Sequence, residues 1–202
     1  MTDDQSKGER TRAAIITAAH DLFVERGYAA ASMRQIAERA GIALGGIYNH
    51  FPGKEDIFRE VVLAYHPYHD ILPALAATPH GDIEDLLRHA ARLIDETLSQ
   101  RPDVFNLMFT EMVEFRSAHL PELLQRVFPL VAQILQRFTE TGSRLRPIPL
   151  PMLMRTFLGT MLGYFITKNA LGSGAPPEFH TGALDHFLNA YLHGIIQPET
   201  PA

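Results

Sequence analysis

Two stretches of the chain carry residue types at spacings that could do chemistry. His66, His69 and Asp70 bring two imidazoles and a carboxylate within five residues, which are the donors of a metal site. Ligation needs those donors to converge, and Pro67 disturbs the geometry between them, so the plainer reading is a polar kink in a helix. No metal and no cofactor is assigned. Gly53-Lys54 resembles the end of a phosphate-binding loop, but Tyr48 stands where such a loop needs glycine and Glu55 where it needs Ser or Thr, so that reading fails. The second stretch is Ser32 to Phe51. There Leu44, Gly45, Tyr48 and Asn49 are candidates for an outward face. Asparagine can pair with an adenine edge, tyrosine can meet a phosphate or a thymine methyl, and leucine makes apolar contacts only. Gly45 and Gly46 each cost a helix about 1 kcal/mol relative to alanine. A helix that keeps both has a reason, and close approach to another backbone is one.

The elements that must hold these residues are helical. Thr11 to Arg26 sets Ile15, Ala19, Leu22 and Phe23 on one stripe and ends at Gly27, with Tyr28 as the apolar follower. Ser32 and Gln35 form an S-x-x-Q capping box that opens a helix to about Ala40. Gly41 ends it, and a short helix from about Leu44 to His50 follows. Capped helix, glycine turn, short helix is the grammar of a helix-turn-helix, with Met33, Ile36, Ala37, Ala40, Ile47 and Phe51 as its buried faces. A fourth helix starts at Lys54, with Pro67 and Pro73 marking a kink or an early end. Further helices are expected over Asp82–Gln100, Pro102–Phe115, Glu122–Thr141, Met152–Leu171 and Pro177–Ile196, with a loop over Gly142–Pro151 and a frayed tail after Gln197. No useful strand alternation and no internal repeat is present.

The chain has 202 residues, no cysteine, no tryptophan, ten histidines and a net charge of −5. Zero cysteine excludes disulfides, cysteine-ligated zinc and a thiol nucleophile. At face value the acidic balance argues against nucleic acid, but the charge is uneven. Lys7 to Arg59 holds eight Lys/Arg against six Asp/Glu, and from Glu60 on there are ten against fifteen. The opening residues are polar, with no apolar signal core. Thr156 to Thr167 is too short for a bilayer span of about 20 residues. The expected place is the cytoplasm, with no membrane partner.

The run Ser32-Met-Arg-Gln-Ile-Ala-Glu-Arg-Ala-Gly-Ile-Ala-Leu-Gly-Gly-Ile-Tyr-Asn-His-Phe51, followed by Pro52-Gly53-Lys54-Glu55-Asp56-Ile57, resembles the DNA-binding domain of TetR-family transcriptional regulators. Arg12 to Tyr28 is similar to that family's first helix, and the resemblance covers about residues 9–69. Ser32 stands where the family often has Thr. Ala43 stands where it often has Ser, which removes a cap and a hydroxyl that could reach phosphate. The resemblance implies that Ser32, Arg34 and Gln35 lie near phosphate and the groove edge. It implies that Leu44, Gly45, Gly46, Tyr48, Asn49 and His50 face double-stranded operator DNA, and that Lys54 holds a phosphate. His50 reads also as a packing residue, and Arg39 and Arg59 read as solvated charges.

The implied fold is all-α, about nine helices: an N-terminal three-helix helix-turn-helix domain (9–69, motif 32–51) and a C-terminal ligand-sensing and dimerisation domain (70–197). Phe105, Met108, Phe109, Met112, Phe128, Phe157, Met161, Tyr164 and Phe165 are rich enough in Met and aromatics to line an adaptable pocket for a small apolar or aromatic effector; taken singly they read as core. Thr156, Gly159 and Gly163 give one helix a small-residue face, and Ala183, Phe187, Leu188 and Tyr191 give the last helix an apolar one, the expected interface of a homodimer. The functional expectation is a ligand-responsive dimeric repressor rather than an enzyme. Its alternatives are a regulator controlled by a protein partner and an all-helical metal-dependent enzyme, for which no nucleophile–base pair is visible.

Overall fold

The computed structural model describes residues 2–79, 81–139, 145–172 and 174–196, with side chains from Lys7 on and excluding 137–139. The described residues form ten α-helices and one 3-10 turn, with no strand beyond a lone bridge between Leu145 and Ile196. The chain is all-α, as expected. The helices are α1 (Thr2–Arg26), α2 (Met33–Arg39), α3 (Leu44–Ile47), α4 (Lys54–Tyr65), α5 (Tyr68–Ala76), α6 (Ile83–Gln100), α7 (Pro102–Val113), α8 (Leu120–Thr139), α9 (Leu150–Leu171) and α10 (Ala183–Ile195).

The chain divides into two compact units, and they are not its two halves. Met1–Pro67 and Leu98–Arg126 make the first, and Tyr68–Thr97 and Val127–Ala202 the second. In the first unit α1 packs on α2 and α4, α2 on α3, and α7 on α1 and α4. Ile15, Ala19, Leu22, Ile36, Ile47, Ile57, Phe58 and Val61 form its buried centre, and Leu107 of α7 joins them. These apolar residues recur at three to four positions along α1 and α4, which is what a helix needs to face a common core. In the second unit α10 packs on α9. Leu153, Met161, Tyr164 and Phe165 of α9 are buried, as are Leu188, Leu192 and Ile195 of α10. Asp95 of α6 accepts from Tyr164 Oη at 3.2 Å and Lys168 Nζ at 2.5 Å, tying α6 to α9.

Several boundaries differ from the expectation, each for a local reason. The helix α1 starts at Thr2, ahead of the apolar stripe that suggested Thr11. The break between α4 and α5 falls at His66, which is extended (φ −63°, ψ 132°) because it precedes Pro67. The helix then runs through Pro73. The expected last helix, Pro177–Ile196, is two pieces: a 3-10 turn over Pro177–Phe179 and α10. Gly182 divides them at φ +67°, a conformation that a side-chain-bearing residue seldom takes. The end of the expected helix (140–141), the start of the expected loop (142–144) and the expected tail after Gln197 lie outside the described residues.

Candidate nucleic-acid interface

The capping box forms as the sequence spells it. Gln35 N donates to Ser32 Oγ at 3.3 Å, and Ser32 N donates to Gln35 Oε1 at 2.9 Å. Two of the three side chains that the resemblance sets near phosphate, Ser32 and Gln35, are therefore occupied in starting α2. Arg34 is exposed and pairs with Glu38 one turn on, at 2.9 Å. Gly41 turns the chain at φ +71° and lets Ile42 N reach Ala37 O at 3.0 Å, which closes α2 against the next element.

The second helix of the motif is shorter than expected. Helix α3 is four residues long, and Tyr48–His50 continue as a tight turn. Ala43 at its N-cap offers no side-chain acceptor, and two of its four residues are glycine, so little local energy holds it. Packing sets its orientation instead. Ile47 and Phe51 are buried in the core of the first unit, which leaves Leu44 (44% exposed), Gly45, Tyr48 (52%) and Asn49 on the outside, with Gly46 and His50 half-buried. A Cβ at Gly45 or Gly46 would meet nothing within 4 Å. The protein's own packing does not require either glycine.

Lys54, expected to hold a phosphate, is engaged within its own chain. Its Nζ donates to Tyr28 O at 2.7 Å and Ala31 O at 2.8 Å, has Ala29 O at 3.5 Å, and lies 4.1 Å from the centre of the Tyr28 ring. Burial holds its pKa below the usual lysine range, against a smaller opposing pull from Glu114. Arg39 makes a two-pronged pair with Glu25 of α1, at 2.5 and 2.8 Å, consistent with a structural charge.

Two partnerships behind this surface have no sequence signal. Glu111 of α7 is completely buried, and both its oxygens accept from His119, one from the backbone N–H at 2.7 Å and one from Nδ1 at 2.8 Å. The chain between them passes Arg116 and Ser117 at positive φ (51° and 64°). His20 of α1 lies 3.1 Å from Asp103 of α7 and stacks on Tyr65 with ring centres 3.7 Å apart. Burial pushes the Asp103 carboxyl up, but the His20 hydrogen bond and the nearby Arg101 outweigh it and hold the pKa below the usual range. These partners are 8 and 83 residues apart in sequence, beyond the reach of helical spacing.

The residues expected to line one pocket are not brought together within a unit. Phe105, Met108, Phe109 and Met112 sit on α7 in the first unit; Met108 packs on its core, and Phe109 and Met112 are exposed. Phe128, Phe157, Met161, Tyr164 and Phe165 are in the second, where the last three are core and Phe157 stands edge-on to Tyr191. A cavity of about 370 Å³ in the second unit is lined by other residues: Tyr68, His69, Leu72, Pro73 and Ala76 from α5, and Leu130, Gln133 and Ile134 from α8. His66 ends α4 while His69 and Asp70 open α5. Among the described residues no three His, Asp or Glu side chains group as metal ligands.

The expected dimer residues also divide. Leu188 is wholly buried and Tyr191 nearly so within their own chain, with the Tyr191 hydroxyl on Leu153 O at 3.1 Å. A Cβ on Gly163 would meet Phe187 of the same chain at 3.6 Å. Ala183 is half-buried, while Thr156 and Gly159 are exposed, beside exposed Met152, Leu158, Leu162 and Ile166. No helix among the described residues is long and apolar enough to cross a membrane.

Residues 15–61 match the family described as bacterial regulatory proteins, tetR family. The chain is 30% identical over 165 residues to the HTH-type transcriptional repressor AcnR of Corynebacterium diphtheriae, covering 80% of this chain and 82% of that one. It is 39% identical over 164 residues to the HTH-type transcriptional regulator SrpR of Pseudomonas putida, covering 78% and 73%. A solved TetR family transcription regulator from Marinobacter aquaeolei VT8 shares the fold, with a TM-score of 0.68 over 96% of this chain and 100% of that one at 17% identity.

Proposed function

The chain belongs to the tetR family of bacterial regulatory proteins and is a DNA-binding transcriptional regulator; from that premise we propose that it is a dimeric repressor that reads a pseudo-palindromic operator and leaves it when a small, largely apolar molecule binds the second unit. The observation that carries the DNA-reading part is the surface of α3 and its following turn. Ile47 and Phe51 anchor it, and Leu44, Gly45, Tyr48 and Asn49 remain outward. Asn49 and Tyr48 supply base-edge and phosphate chemistry, and Leu44 an apolar contact. Repression is favoured by the relative AcnR, which is named a repressor. The 9–69 segment is the DNA-reading domain in this proposal, with effector binding and pairing assigned to the rest.

The effector part rests on the α5–α8 cavity. Its lining is mostly apolar, with Leu72 and Ile134 buried, and includes Tyr68, His69 and Gln133 as polar residues. That mix suits an apolar body with one or two polar groups. Pairing rests on the exposed apolar side of α9, and two-fold symmetry would present two α3 surfaces to successive turns of the groove.

Selection of duplexes from a random pool by the full chain tests the first part. The expected product is an inverted repeat; recovery of no enriched sequence refutes the reading. Sedimentation tests the second: a dimer is expected at micromolar concentration, and Leu162→Glu should give monomers. A thermal-shift screen with lipophilic and aromatic compounds, followed by operator release, tests the third, and Leu72→Trp should abolish any shift by filling the cavity.

A further inference from the structure

Lys54 is the first residue of α4, and the shell of its ammonium is filled from inside the chain. An ammonium has three protons to donate and nothing to accept. Here three carbonyls of one short segment converge on it, those of Tyr28 (2.7 Å), Ala31 (2.8 Å) and Ala29 (3.5 Å). The Tyr28 ring covers it at 4.1 Å. That ring is itself fixed, edge-on to Phe58 of α4 at 5.1 Å and to Phe115 at 4.8 Å. The residue after Ala31 is Ser32, the N-cap of α2. One side chain thus joins the start of α4 to the chain segment that sets where α2 begins, and α2 in turn carries α3.

We propose that Lys54 serves DNA binding as a positioning residue, holding the 28–31 carbonyls and through them the α2–α3 pair, and not as a ligand of the DNA phosphate. A phosphate contact would require the ammonium to give up the Ala31 carbonyl and its share of Tyr28 O, which also accepts from Ala31 N at 3.3 Å. The proposal rests on the DNA-reading role of α3, and it reverses the role that the family resemblance implies for this position.

The two roles differ in their salt dependence. Neutralising one phosphate contributes about 0.9 to the slope of log affinity against log salt, whereas a positioning residue contributes to affinity at every salt concentration alike. The experiment measures binding of the full chain to the duplex that the wild type selects from a random pool, from about 50 to about 300 mM salt. Lys54→Ala is expected to bind at least about tenfold more weakly, with a slope within about 0.3 of wild type. Lys54→Arg keeps the charge, but its planar fork does not match three carbonyls converging on a point, and it is expected to lose a similar factor. Amide exchange across residues 29–35 should quicken in both. A slope lower by about 0.9 in Lys54→Ala overturns the proposal, as does wild-type affinity in Lys54→Arg. Should Lys54→Ala not fold, Lys54→Arg decides alone. A wild-type chain that selects no duplex at all removes the DNA-reading role of α3 instead, which is a separate result.

Discussion

Replacing Gly45 and Gly46 by alanine should make the protein more stable and a worse DNA binder. Both residues lie in α3, neither has a positive φ, and an added methyl group would meet no atom within 4 Å. Glycine in a helix is worth about 1 kcal/mol less than alanine, partly because it leaves the unfolded chain more freedom. The four-residue helix lacks a capping side chain at Ala43, so it should gain most of that amount. Each single substitution is expected to add about 0.5–1 kcal/mol, which for a chain of this size raises Tm by about 2–4 °C per kcal/mol. The pair should approach additivity. Urea denaturation and thermal melting of the DNA-free protein measure this gain. Operator binding should move the other way by tenfold or more, about 1.4 kcal/mol, because a methyl group at either site separates the α3 backbone from the groove. Two results refute the reasoning. A less stable double variant would mean that the local backbone is not as described. A more stable variant with unchanged affinity would mean that DNA does not approach this surface closely.

Other predictions test the surroundings of that surface. Tyr48→Ala removes an exposed side chain, so stability should change by less than about 0.5 kcal/mol while operator affinity falls at least about tenfold; equal affinity would take Tyr48 off the interface. Glu111→Ala strips the buried acceptor from the His119 backbone N–H and imidazole, and should cost about 3–5 kcal/mol in urea denaturation; a cost under about 1 kcal/mol would show that the pair contributes little. Asp103 has a folded pKa below its ordinary 3.8, so the unfolded chain takes up its proton first as pH falls. Its contribution is therefore complete well above pH 3.8 and is lost as pH drops through the lower folded value. The urea midpoint of Asp103→Asn should accordingly fall less steeply with acid than that of the wild type, and parallel acid limbs would refute the assignment.

What could be read from the chain beforehand follows the range of the interactions. Helix α2 is governed by contacts within four residues: Ser32 with Gln35 at its start and Gly41 at its end, and these were legible. The pattern of Ile36, Ala37, Ile47 and Phe51 also told which side of the motif would be buried, and hence which side remained exposed. Legibility failed wherever a side chain had two uses. A methionine or aromatic at helical spacing suits a core and a cavity equally, and Met161, Tyr164 and Phe165 went to the core. The wall of the α5–α8 cavity comes from Leu72, Pro73, Leu130 and Ile134, ordinary aliphatic positions about 60 residues apart whose meeting depends on how two helices pack. Leu188 and Tyr191 show the same ambiguity, because an apolar helix face does not say whether its cover is the same chain or a second copy.

Lys54 sharpens this into a point about charge. The residues from Lys7 to Arg59 carry a small cationic surplus, which reconciled an acidic chain with an acidic partner. The structure assigns several of those cations before DNA arrives: Arg12 to Glu60, Arg34 to Glu38, Arg39 to Glu25 and Lys54 to three carbonyls. An exposed pair such as Arg34–Glu38 is worth little and can open for a phosphate at small cost. A half-buried ammonium with its donors filled gives up more to do so, two close carbonyl contacts and the Tyr28 ring. Cation number is therefore a poor guide to phosphate contacts in this domain, and the cost of releasing each cation is a better one. By that measure Arg34 is the stronger candidate for a phosphate and Lys54 the weaker. Arg34→Ala should accordingly lower the salt slope by about one, and Lys54→Ala should not.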